Sequence, residues 1–401
     1  RRFMACSETV TQVSLDSLDR SIELLTSVDA AYAPFLSCYL DLETGAEACR
    51  EFLASEAEFI RSGLGDIAQL DFDEAYQRLQ EQFDGVCSEG IRGVAIFTRS
   101  MMGGRFSEVI PSMLPFRNQL SFYRVPDIRP LLSLRDAYAE RYLLWAASDG
   151  VELLRIEGGD VQTLAWVAEK RVEWHAANQK SLLSRNRPVK SGRQFGGFAL
   201  QTFSRVLKSA GRLKLVLAGD TNRIEKLRQW LPRHLSKAVS QTVTVSPFLD
   251  RGRALRQIID HSAAGCRAAV DLFTKSCLQV PLVRRRCVTG PSSTLEAIES
   301  RVLDTLLITS NTTPTLIDST QSSVLASVDK ESGQATLINR GSYWDPGIEL
   351  SRLACQQGIK ILVSNTRELF RQGGVGGLLS DATNVAVMPR PNASVATERV
   401  A

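Results

Sequence analysis

A glycine pair stands at the centre of "SGRQFGGFALQTFSR" (residues 191–205), and the residue types around it can bind a polyanion. Gly196 and Gly197 allow bends and close backbone approach that other residues resist. Arg185, Arg187, Lys190, Arg193 and Arg205 flank them. A guanidinium group holds phosphate bidentately and stacks on bases. Phe195 and Phe198 offer rings for unpaired bases, although Phe198 serves equally well as the first core residue of a helix. Gln194 lies two residues before the pair. From Trp174 to Gly219 there is no Asp or Glu, whereas Lys180, Lys208, Arg212 and Lys214 add to the cations already named. Such a local field suits a nucleic-acid backbone. The alternatives are an RNA-entering loop and a solvated basic face carrying a plain flexible turn.

Other positions carry weaker chemistry. Arg284, Arg285 and Arg286 run consecutively in "VRRRC". Consecutive helical residues point to different faces, so a loop or strand would present them better to RNA; a solubility role is the alternative. His175, His234 and His261 are isolated, with no nucleophile and orienting partner beside them as a general base requires. "LAGDTNR" has the strand–Gly–helix shape of a phosphate turn but lacks the further glycines and the Lys-Ser/Thr of a P-loop, and reads as scaffold. Glycines in "GGVGG" (373–377) read first as fold geometry and second as an RNA contact. Eight cysteines include no C-x-x-C pair and no histidine at zinc spacing. They are expected to be reduced thiols in a cytoplasmic protein without metal or cofactor.

The 401 residues suffice for two or three domains with their own cores. Hydrophobic content of 44% and charged content of 23% are those of a globular protein. No apolar run approaches the length of a membrane span, and the first residues lack the apolar core of a secretory signal. The net charge of +4 is mild; its distribution is the informative part.

Three stretches emerge. In residues 1–135, "SLDSLDRSIELLTS" reads as a helix, "PFLSCYLDL" and "RGVAIFTRS" as buried strands, and 46–60 and 73–87 as amphipathic helices. "QLSFYRVPDIRPLLSL" opens with a further strand that prolines interrupt. In 136–250, "RYLLWAASDGVELLRIEGGDVQTLAWV" predicts two or three strands joined by tight turns. The basic loop follows, then a helix over 198–210, a strand in "RLKLVLAGD", a helix in "TNRIEKLRQWLPRHL" and a strand in "QTVTVSPF". In 251–401, a long helix over 251–276 precedes a helix running into a strand at 305–310. A polar loop or small hairpin over 311–342 comes next, then a helix with Gly358 as its cap, a strand, and two glycine pairs before a last apolar strand. The fold class is α/β, with a central mixed sheet flanked by helices.

This order of elements resembles the archaeal/eukaryotic class I release factor and Pelota superfamily, in a bacterial branch that includes ribosome hibernation factors. The resemblance rests on "PFLSCYLDL" and "RGVAIFTRS", on "YLLWAASDGVELLRIEGGDV" with the Gly-Gly loop, "FALQTFSRVLK" and "LKLVLAGD", and on "VLDTLLITS", "ELSRLACQQGIKILVSN" and "GGVGGLL". It covers nearly the whole chain. It implies a three-domain release-factor-like arrangement: an N-terminal domain (1–135) facing the decoding site, a central domain (136–250) reaching the peptidyl-transferase centre, and a C-terminal α/β domain (251–401) similar to kink-turn-binding proteins. It implies the 70S ribosome and its rRNA as partners, with elongation factor Tu, and neither DNA nor membrane. Release factors carry Gly-Gly-Gln, whose Gln helps to position water on the peptidyl-tRNA ester. Here Phe198 follows the pair, while Gln194 and Gln201 are out of register. A catalytic group misplaced by about 1 Å can cost about 10²-fold in rate. The resemblance therefore implies a non-catalytic A-site occluder. Peptidyl-tRNA hydrolysis through Gln194 is the first alternative, and binding of another structured RNA the second.

Overall fold

The computed structural model describes residues 15–28, 33–86, 90–100, 106–147, 150–157, 160–168, 203, 214–310, 315–317, 324–327 and 342–380. Helix α1 (Leu15–Ser27) leads into β1 (Phe35–Asp41), then α2 (Ala46–Ser62), α3 (Asp66–Asp84), β2 (Gly93–Arg99), β3 (Phe106–Ser112), β4 (Gln119–Tyr123) and α4 (Arg129–Tyr138). The four strands form one antiparallel sheet in the order β3-β2-β1-β4. Both β1 and β2 are apolar on both faces because both faces are covered. Leu36, Cys38, Leu40, Val94 and Ile96 pack on α2 and α3, while Tyr39, Ala95 and Phe97 pack the other way. Strand β3 has no clear sequence signal: Glu108 and Pro111 interrupt it, and it survives as an edge strand, where proline is tolerated.

A second sheet follows. Strands β5 (Arg141–Ala146), β6 (Gly150–Glu157) and β7 (Asp160–Ala168) form an antiparallel meander. After β8 (Leu215–Gly219) come α5 (Thr221–Trp230), α6 (Arg233–Ala238) and β9 (Val239–Thr244). The order is β7-β6-β5-β8-β9, with β5, β8 and β9 parallel, so the sheet is mixed. The single helix expected over "TNRIEKLRQWLPRHL" is two, broken at Pro232, which cannot donate an intrahelical hydrogen bond.

Helix α7 (Arg251–Gln279) starts at Asp250, whose carboxylate accepts from the Arg253 amide at 3.0 Å. It ends ahead of α8 (Pro281–Arg284). Strand β10 (Cys287–Thr289), α9 (Pro291–Glu299) and β11 (Leu303–Ile308) follow. Within 311–342, where a loop or hairpin was expected, the described pieces β12 (Thr315–Ile317) and β13 (Val324–Ser327) join β14 (Ser342–Trp344) in a three-stranded sheet. Then come α10 (Pro346–Gln356), β15 (Lys360–Val363), α11 (Arg367–Arg371) and β16 (Val375–Leu379). Gly358, at φ +68°, takes the left-handed position after α10. Its amide bonds to the Cys355 carbonyl (3.0 Å) and that of Ile359 to Ala354 (2.9 Å), the double closure typical of helix ends.

The third sheet has the order β10-β16-β11-β15. The two glycine pairs play different parts in it. Gly373 and Gly374, at φ +91° and +76°, make the turn before β16. Gly376 and Gly377 lie inside the strand, not before it. A Cβ on Gly377 would stand 2.4 Å from Leu303 Cδ1 and 2.9 Å from the Thr305 carbonyl oxygen, so only glycine lets β11 and its side chains come this close.

The first and third sheets share one core. Leu18, Ile22, Tyr39, Phe97, Leu131 and Tyr138 meet Ile298, Leu306, Leu350, Ile361 and Val375 in one apolar cluster. Charged groups stitch the seam. Arg129 is 4% exposed and binds Asp127 (Nη2–Oδ2, 2.6 Å) and, more loosely, Asp345 (3.4 Å). Arg124 pairs with Glu349. The central sheet keeps two cores of its own. One lies under α5 and α6, and the other, around Leu143, Val216 and Val243, lies against Ala254 and Ile258 of α7.

Candidate nucleic-acid interface

The central sheet supplies the strands on either side of the basic segment. Strand β7 ends at Ala168, opposite Gly150, which places that end beside Ala146 at the carboxyl end of β5. Strand β8 begins at Leu215, opposite Tyr142 at the amino end of β5. The chain thus leaves one end of the sheet and rejoins it at the other, about 20 Å away for a strand of this length. Within the stretch, Phe203 is described: it is helical, 1% exposed, and seated in the core with Leu144, Leu215, Leu217 and Leu227. Its burial follows from an aromatic ring meeting a flat apolar sheet face. Arg185, Arg187, Lys190, Arg193, Gln194, Phe195, Gly196, Gly197, Phe198 and Arg205 lie outside the described residues. So does His175, and nothing is described of the His234 side chain.

At the carboxyl ends of β5, β8 and β9 a cavity of about 180 Å³ is lined by Trp145, Glu152, Gly219, Asp220 and Arg251, among others. This is where "LAGDTNR" would bind phosphate. The Asp220 carboxylate already occupies the amino end of α5, accepting from the Arg223 amide at 3.0 Å and pairing with the Arg223 guanidinium at 3.0 Å. An anion here would meet that carboxylate, so the turn is scaffold. Arg251 binds Glu152 at 2.7 Å and lies over the Trp145 ring at 5.9 Å, tying α7 to the sheet.

Arg284 closes α8, and Arg285 and Arg286 make the turn into β10; all three are exposed. Arg286 donates to the Leu379 carbonyl at 2.8 Å, so its head pins β10 to β16. His261 is exposed, and its Nδ1 lies 2.9 Å from the Gln257 carbonyl of its own helix, a local contact with no nucleophile in it. Cys38, Cys49 and Cys277 are buried free thiols, and Cys266, Cys287 and Cys355 are half-buried free thiols. Burial pushes the Cys355 thiol up to about 11 and the Cys287 thiol up to about 12, which keeps both protonated and unreactive at neutral pH. Among the described residues, no group of three His, Cys, Asp or Glu could hold a metal ion, and no helix is long and apolar enough to cross a membrane.

One charged knot had no sequence signal. Arg92 is 8% exposed and binds Asp260 of α7 (2.6 Å) and Glu43 (2.8 Å). Burial alone would lower its pKa. Its hydrogen bonds to the Asp260 and Glu43 carboxylates outweigh burial and hold it above the ordinary arginine value. The same contact with Arg92 holds the Glu43 carboxyl below its usual range. The knot fixes the first sheet to the long helix across more than 160 positions of sequence.

No family model matches the sequence, and no curated protein matches it. Solved structures do. An archaeal translation termination factor is 15% identical, over 92% of this chain and 98% of its own, with a TM-score of 0.26. The Archaeoglobus fulgidus Pelota protein is 16% identical, over 72% of this chain and 78% of its own, with a TM-score of 0.34. S. cerevisiae Dom34, a translation termination-like factor involved in RNA quality control pathways and interacting with Hbs1, is 10% identical, over 72% and 78%, with a TM-score of 0.34. Superpositions this loose transfer no residue roles.

Proposed function

We propose that the chain is a ribosome-binding factor that enters a vacant A site and occludes the decoding and peptidyl-transferase centres without catalysis, in the manner of the hibernation factor Balon that the sequence resembles. One observation carries the reading: the stretch from Trp174 to Gly219, free of acids and rich in cations, falls between β7 and the end of β8 of a single well-packed sheet, with Phe203 buried in that sheet's core. A rigid mount with a long cationic excursion suits insertion among rRNA phosphates, which dominate affinity. The Gly196–Gly197 pair stands at the tip in this reading, with Arg185, Arg187, Lys190, Arg193 and Arg205 on phosphate and Phe198 replacing the catalytic glutamine. The first domain then faces the decoding site, and the C-terminal domain takes elongation factor Tu.

Cosedimentation with 70S ribosomes at moderate salt tests the binding. Release of labelled peptide from stalled complexes, with Gln194→Ala beside the parent chain, tests the absence of catalysis. The expected result is cosedimentation that weakens steeply with salt, and no release from either chain. Absence from the ribosomal pellet refutes the reading. Release lost on Gln194→Ala makes the protein a peptidyl-tRNA hydrolase instead.

A further inference from the structure

A second concavity is lined by no residue of the central sheet. A cleft of about 840 Å³, within the usual range of binding cavities, opens where the first sheet, α7 and the third sheet meet. Its charge is unbalanced. Glu43 and Asp260 line it, and both are engaged by Arg92. Arg117, Arg267 and Arg367 line it too, all three exposed, and among the described residues no ion pair includes any of them. Elsewhere on the surface Arg50, Arg61 and Arg253 sit in ion pairs with aspartates.

The three arginines come from the loop before β4, the middle of α7 and the start of α11. They are not one helix's solvated face; the tertiary fold gathers them. Phe370 lines the same cleft and is 37% exposed, the kind of ring on which an unpaired base stacks. We propose that this cleft is a second RNA site, which takes a single-stranded segment with phosphates on Arg117, Arg267 and Arg367 and a base against Phe370. Exposure of all three cations fits a passing strand better than an enclosed nucleotide, and the ring fits RNA better than an acidic peptide. The proposal deepens the ribosome-binding reading and rests on it only for which RNA supplies the strand.

The test is fluorescence anisotropy of the full chain with labelled poly(U) across a salt series. Each phosphate neutralised on a single strand contributes about −0.7 to the slope of log affinity against log salt. The triple variant Arg117→Gln/Arg267→Gln/Arg367→Gln is therefore expected to lose about 2 from the slope. The triple Arg→Lys variant should keep the parent slope, because it keeps the charges, and its unchanged melting curve controls for folding. A Gln variant with the parent slope overturns the proposal. So does labelled poly(Glu) binding more tightly than poly(U) through the same arginines, which would make the cleft an acidic-peptide site. Displacement of poly(U) from the cleft by stoichiometric ADP would make it a nucleotide pocket and also overturn the proposal. A chain that binds poly(U) through these arginines but does not cosediment with 70S ribosomes sinks the ribosome reading alone. Cosedimentation without an arginine-dependent slope sinks the cleft alone.

Discussion

Asp127 is fully buried, and its carboxylate depends on Arg129, which contacts both of its oxygens at 2.8 and 2.6 Å. Removing one partner of a buried pair leaves an uncompensated charge and costs about 3–5 kcal/mol. Arg129→Ala is expected to lower stability by that amount in calorimetry; an unchanged melting temperature would mean that water reaches Asp127. Gly377→Ala is a packing test. The added methyl must displace Leu303 and the β11 backbone, and overpacking of this kind costs about 1–3 kcal/mol. Asp136 offers a pH test. Burial raises its pKa, against the opposing pull of Arg135, Lys360, Lys214 and Arg141. A carboxyl raised by folding favours the folded state when protonated and opposes it when ionised. Asp136→Asn should therefore raise the melting temperature at pH 7. The gain should shrink as pH falls through the folded value and vanish below the unfolded value of about 3.9. A gain that persists at pH 2–3 would contradict that cause.

At the scale of elements, α7 is the part that touches everything: the central sheet near Ala254 and Ile258, the first sheet through Asp260, and the third through Cys277 and Leu278. Gly265 lies in its middle. A Cβ there would fall within 2.5 Å of the Gln241 side-chain amide, which donates to the His261 carbonyl at 2.7 Å. That amide is the movable end of a half-buried side chain. Gly265→Ala is thus expected to be near neutral alone and to gain about 1 kcal/mol of helix propensity in a Gln241→Ala background. A double-mutant cycle by urea unfolding measures it, and equal effects in both backgrounds would dismiss the contact. The strands around Cys38, Ile96, Leu144, Leu217 and Leu306 were legible in the sequence because each is a largely apolar run. Helix α7 was legible as a long helix over 251–276, and Gly358 from its place behind a helix. Strand β3 was not, because an edge strand can carry Glu108 and Pro111 without loss. The role of the second glycine pair was hidden too, since close approach by Leu303 leaves no local mark. Arg117, Arg267 and Arg367 were invisible as a group: a hundred or more residues separate each from the next, and only tertiary folding makes them neighbours.

At the scale of the whole molecule, the shared core predicts joint behaviour of distant segments. Leu350 is fully buried in it, and truncation of such a leucine costs about 2–5 kcal/mol. Leu350→Ala should speed amide hydrogen exchange in β1 and β11 together, read by mass spectrometry. Faster exchange confined to β11 would show two independent units. The shared core also bears on how the protein is made. Tyr138 is synthesised roughly 240 residues before Val375, its companion in the cluster, an interval on the order of 10–50 s at about 5–20 residues per second. Throughout that interval the apolar sides of α1 and α4 that will meet α10 and β15 have no lasting cover, and the nascent chain carries an adhesive apolar surface through its own translation. A chaperone that holds unfinished chains would find its substrate here, and slowing elongation after residue 138 would lengthen that dependence.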